Sequence, residues 1–68
     1  MTIPHELLNA WQGLRSPADV AEIAELADVS CETVRRVFRS GTVSDDLFRI
    51  IADFYDEKQA LINQYIND

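Results

Sequence analysis

The chain has 68 residues, 47% of them hydrophobic, with six Lys and Arg against twelve Asp and Glu for a formal net charge of −6. That length admits one small domain over residues 1–68 with a modest core, leaves no room for a second, and includes no run apolar enough for a membrane span. A single cysteine excludes an internal disulfide and the start lacks the basic and apolar pattern of a secretory leader, so the expected setting is cytoplasmic, nucleoid-associated in a bacterium.

Met1-Thr2-Ile3-Pro4 leads into a first helix, with Pro4 in the first turn, where a missing N–H is harmless. Leu7, Leu8, Trp11 and Leu14 recur at helical spacing as a core stripe, and Gly13 marks the expected end. His5 has no second histidine or cysteine at ligand spacing, so no metal site is expected.

Ser16-Pro17 is the clearest start signal in the chain, because a serine N-cap precedes a proline at the first helical position. The helix it opens runs to about Ala27, with Asp19 favouring its N-terminus electrostatically. Ile23, Ala24 and Ala27 make a face small enough for a neighbouring helix to approach closely. Asp28-Val29-Ser30 then interrupts the pattern: Asp28 tolerates positive φ, Val29 is expected to point back into the core, and Ser30 is a good N-cap for the next helix.

The helix over 31–39 has two faces. At about 100° per residue, Cys31, Glu32, Arg35, Arg36 and Arg39 share an arc of roughly 140°, and Val34, Val37 and Phe38 share another of roughly 100°. Ser40-Gly41 ends the helix, with Gly41 as its C-terminal cap. Thr42-Val43 crosses to Ser44-Asp45-Asp46, which starts a further helix carrying Leu47, Ile50, Ile51, Phe54 and Tyr55 inward. A separate terminal helix is expected over 56–68, where Leu61, Ile62, Tyr65 and Ile66 form an apolar stripe that either closes the core or makes a two-fold interface. The fold expected is all-α, a bundle of about five short helices.

The run Val20 to Phe38, VAEIAELADVSCETVRRVF, resembles the helix-turn-helix unit of the phage Cro/repressor (XRE-type) and lactose-repressor-type families. Ala24, Ala27, Val29-Ser30, Val34 and Val37 match the pattern, and Asp28 stands where glycine is usual. The resemblance implies a lambda-repressor-like fold that lays the helix 31–39 in the major groove of double-stranded operator DNA, braced by the helix before it. It also implies that groups at the start of that preceding helix, Ser16 among them, hold a phosphate, and that the loop with Thr42 and Ser44 lies along the DNA backbone.

Within the polar arc, Arg35 and Arg36 suit base contact, because a guanidinium donates two bonds to guanine O6 and N7. Glu32 suits a cytosine amino group, or else pairs with Arg35 or Arg36 on its own helix. Cys31 suits a thymine methyl, and Arg15, Thr33 and Arg39 suit phosphate. DNA recognition requires this arc to face outward, clear of the protein's own carboxylates and of the last helix. The net charge counts against it, offset by the crowding of Arg35, Arg36 and Arg39 on one helix, since screening limits distant repulsion to about 8 Å.

No serine or cysteine is set with a histidine and a carboxylate, and there is neither a glycine-rich phosphate loop nor zinc spacing, so neither catalysis nor a cofactor is expected. Two functions from different classes remain. One is a sequence-specific DNA-binding transcriptional regulator acting as a homodimer. The other is an acidic helix-turn-helix protein-interaction module that binds another regulator, RNA polymerase or a toxin.

Overall fold

Residues 1–67 are described by the computed structural model as four helices, α1 (His5–Leu14), α2 (Pro17–Ala27), α3 (Cys31–Ser40) and α4 (Asp45–Asn67), with Asn67 described by its backbone alone. Asp68, the end of the expected terminal helix, lies outside the described residues.

Cap chemistry sets most of the boundaries. Pro17 disfavours a helical Ser16, so α1 stops at Leu14 with Arg15 extended, one residue past the glycine expected to end it. At the other end Pro4 occupies the N-cap position rather than the first turn. Asp19 closes a capping box at the start of α2: the Ser16 N–H donates to its Oδ2 at 2.9 Å and the Ser16 hydroxyl to its Oδ1 at 2.8 Å. α2 ends in a left-handed Asp28, φ 56°, with the Asp28 N–H on the Glu25 carbonyl at 3.3 Å and the Val29 N–H on the Ala24 carbonyl at 3.0 Å. These are the two bonds of a Schellman motif. They pin Val29 over the end of α2, where it is 36% exposed instead of entering the core as expected. Ser30 caps α3 by accepting from the Thr33 N–H at 3.2 Å, and α3 closes on Gly41 at φ 74°.

The last two expected helices are one. Nothing in Asp56-Glu57-Lys58-Gln59 breaks a helix, and these side chains are ordinary helix formers, so α4 continues through the polar stretch that suggested a boundary at 56. At 23 residues α4 is about 34 Å long, close to the longest dimension of the molecule, 36 Å, against 24 and 19 Å across.

The core lies where α1, α2 and α3 meet the first half of α4. Trp11 stacks on Tyr55 with ring centroids 5.7 Å apart and planes 19° apart, Phe48 lies 5.7 Å away on the tryptophan, and Phe38 meets Tyr55 edge-on at 6.2 Å. Val20, Ile23, Val34, Val37 and Ile51 fill the space between the helices. The first residues do more than flank α1: the Ile3 N–H donates to the Gly41 carbonyl at 2.8 Å and the Val43 N–H to the Met1 carbonyl at 2.9 Å, around a Thr2–Thr42 antiparallel bridge. Ile3 and Val43 are buried beneath it, so the chain start closes the core over the α3–α4 connection. No described helix is long and apolar enough to cross a membrane.

Candidate nucleic-acid interface

α3 is held from one side only. Val34, Val37 and Phe38 are buried, while Glu32, Arg35, Arg36 and Arg39 are exposed, as the two arcs of the helix require. Cys31 and Thr33 sit at the borders. Cys31 is half-buried and packs against the core, because it falls only about 20° around the helix from Phe38. The Thr33 hydroxyl meets the Ser30 hydroxyl at 2.9 Å, which leaves it serving the cap of its own helix.

The arginine arc faces outward, but it is not clear of carboxylates. Glu32 Oε1 accepts from Arg39 at 3.2 Å and Glu32 Oε2 lies 3.8 Å from Arg35, so one carboxylate lies between two guanidiniums, one of them a full two turns away. Arg36, four residues on and an obvious partner by spacing, is not in this group. All three paired side chains are more than half exposed, at 57% for Glu32, 55% for Arg35 and 69% for Arg39. Pairs this exposed are worth about 0–1 kcal/mol and yield readily to a phosphate. No carboxylate among the described residues is within ion-pairing distance of Arg36.

Around α3, the flanking candidates divide. The Arg15 guanidinium lies over the Phe38 ring, 4.9 Å from its centroid, and the residue stays exposed. Thr42 and Ser44 are exposed in the loop after α3; the Thr42 N–H is taken by the Ser40 hydroxyl at 3.2 Å, and Ser44 caps α4 through the Leu47 N–H at 3.3 Å. Ser16 is different. Both its donors are committed to Asp19, whose carboxylate occupies the α2 N-terminus where a phosphate was expected.

Asp19 carries the most consequential feature that sequence reasoning missed. Its carboxylate is buried, with Lys58 at 2.7 Å and the Tyr55 hydroxyl donating at 3.3 Å to the same oxygen. Burial pushes its carboxyl up, but Lys58 and the two Ser16 donors outweigh that and hold it below its ordinary value. The Tyr55 phenol is pushed up by burial and by the neighbouring Asp19 charge. A sequence signal did exist: Lys58 falls on the inward stripe of α4 seven residues after Ile51, and a cation on an apolar stripe calls for a buried anion.

Comparison with known protein families, curated proteins and solved structures finds no match to this chain. The assignment of the site therefore rests on side-chain geometry. Among the described residues no group of three or more His, Cys, Asp or Glu side chains is placed to hold a metal ion.

The far end of α4 stands away from the body of the molecule. Tyr65 is 84% exposed, Ile66 74% and Leu61 57%, with Ile62 half-buried, so Leu61, Tyr65 and Ile66 do not close the core.

Proposed function

We propose that this protein is a sequence-specific double-stranded DNA-binding transcriptional regulator of the phage Cro/repressor (XRE-type) kind, in which α2, the Asp28-Val29-Ser30 turn and α3 form a helix-turn-helix. α3 enters the major groove, Arg36 and Arg35 contact base edges with Glu32 and Cys31 beside them, and Arg15, Arg39, Thr42 and Ser44 contact the backbone. The observation that carries this is Arg36, exposed on a helix anchored from the opposite side by Val34, Val37 and Phe38, with no carboxylate among the described residues paired to it. Arg35 and Arg39 do not meet the same requirement as they stand, and their exposed pairs with Glu32 have to open before they reach DNA. Ser16 and Thr33 have a smaller part, because their hydroxyls already serve the caps of their own helices.

The regulator acts as a homodimer in the nucleoid, paired through the stripe of Leu61, Ile62, Tyr65 and Ile66. Gln59 to Ile66 contains no Asp, Glu, Lys or Arg, so two copies of an acidic chain can approach there without repulsion. Pairing that sets two copies of α3 about 34 Å apart engages successive major-groove turns.

Operator selection from random DNA, followed by a gel-shift salt series, tests this. Log affinity should fall linearly with log salt by about 0.9 per neutralised phosphate, and Arg36→Ala should relax preference at one base pair. No retardation of any fragment at low salt leaves the second reading, a protein-interaction module, which the net charge of −6 favours.

A further inference from the structure

We propose that the cleft between α2 and α4 is a docking groove for a lysine- or arginine-rich amphipathic helix of another protein. Phe54 and Leu61 of α4 line it together with Glu22 of α2 and Glu57 of α4, around a space of about 320 Å³. A second hollow, along Glu25 and Leu26 of α2, shares Glu22 with it, and a third, along Ala60 and Gln64 of α4, shares Glu57 and Leu61. Leu26 and Leu61 are left more than half exposed along these hollows.

The charge of the groove selects the partner. Lys58 is the cation in its lining, and its ammonium is engaged by Asp19 at 2.7 Å. No cation among the described residues is within ion-pairing distance of Glu22, Glu25 or Glu57. An apolar row between unneutralised carboxylates is complementary to a helix with apolar anchors three and four residues apart and basic groups on both flanks. A second copy meeting the groove with its own would set like carboxylates against each other. None of the lining residues belongs to α3, so the groove goes beyond DNA recognition and stands whether or not α3 reads DNA. On α4, Ile62 and Ile66 point about 100–140° away from Leu61, so the groove and the uncharged stripe share the edge that carries Leu61 and part elsewhere.

The test uses the full chain and two synthetic peptides, one of leucine and lysine at helical spacing and one with glutamate in place of each lysine. Binding is followed by calorimetry and by backbone amide shifts. The Glu22→Gln, Glu57→Gln protein is compared with Asp45→Asn, Asp46→Asn, which has the same net charge but leaves the groove intact; thermal melts verify that both fold. The leucine–lysine peptide should bind with shifts at Leu26, Phe54 and Leu61. The groove pair should weaken it about fivefold and the control pair less than about twofold, and the glutamate peptide should not bind. Equal weakening by both pairs means attraction to net charge only and overturns the proposal, as do shifts confined to other surfaces or no binding by the unaltered protein. Sedimentation showing self-association that Leu26→Lys, outside the α4 stripe, abolishes, with no peptide binding, assigns the groove to a second copy instead.

Discussion

The Lys58 ammonium sits 2.7 Å from Oδ2 of Asp19, tying the first turn of α2 to the middle of α4 across 39 residues of sequence. Asp19→Ala removes the partner of Lys58, the acceptor for the Tyr55 hydroxyl and one half of the α2 capping box, and should cost about 2–4 kcal/mol at neutral pH. Lys58→Met should cost less, about 1–2 kcal/mol, because the lysine is a quarter exposed and Asp19 keeps its Ser16 and Tyr55 donors. Urea unfolding of both variants at neutral pH measures the difference.

The same pair gives stability a defined acid dependence. Because the folded protein holds the Asp19 carboxyl below its ordinary value of 3.8, the unfolded chain binds the proton more readily. The stabilisation is therefore complete above that ordinary value and is lost as pH falls through the lower folded one. Urea midpoints across this acid range should fall for the natural protein and fall less for Asp19→Asn, whose side chain does not titrate.

Glu32→Gln releases Arg35 and Arg39 from their shared carboxylate. Stability should change by no more than about 0.5 kcal/mol, since the pairs are exposed, while operator affinity at low salt should rise about three- to tenfold as a negative charge leaves the face proposed to meet DNA. If affinity instead falls and preference relaxes at one base pair, Glu32 reads a cytosine amino group. Gel shifts on the selected operator and on its single-base variants separate these outcomes.

Asp28 holds a left-handed conformation, φ 56°, at the Schellman turn between α2 and α3. Glycine adopts it without the Cβ penalty, partly offset by its greater freedom in the unfolded chain, so Asp28→Gly should stabilise by about 0.5–1 kcal/mol. Asp28→Val, β-branched at positive φ, should destabilise by more than about 1 kcal/mol. Thermal melts of the two variants, moving in opposite directions, would verify the turn.

Tyr65→Glu with Ile66→Lys changes residues outside the core, and the melting temperature of the dilute protein should stay within a few degrees of the original. Sedimentation over a range of concentrations should show association in the natural chain and none in the variant. Operator affinity should fall with it, since each copy then binds alone.

Much of this fold was legible because it is written in caps. Ser16-Pro17, Ser30 and Gly41 each mark a boundary through local chemistry, and α2, α3 and the turn between them begin and end where those residues require. The continuity of α4 was not legible at Asp56, because a polar run looks alike whether it ends a helix or carries one beyond the body that buries it. The Thr2–Thr42 bridge joins residues far apart in sequence and no local periodicity announces it; for the Asp19–Lys58 pair, the period puts Lys58 on the inward stripe and so calls for an anion, but does not say which one. Of the DNA-facing candidates, Arg35, Arg36 and Arg39 were placed correctly on the outer face by period alone. The choice of Arg35 and Arg39 as partners of Glu32, passing over Arg36, depended on rotamers that spacing does not fix.

Trp11 is the sole indole of the chain and is sealed between Tyr55 and Phe48. Its fluorescence therefore reports one event, the separation of α1 from α4, and should shift to longer wavelength only when water enters there. A nucleic acid on α3 quenches nothing that it cannot touch. The molecule thus carries an optical gauge of its own integrity, one that distinguishes a variant that has lost its ligand from a variant that has lost its shape.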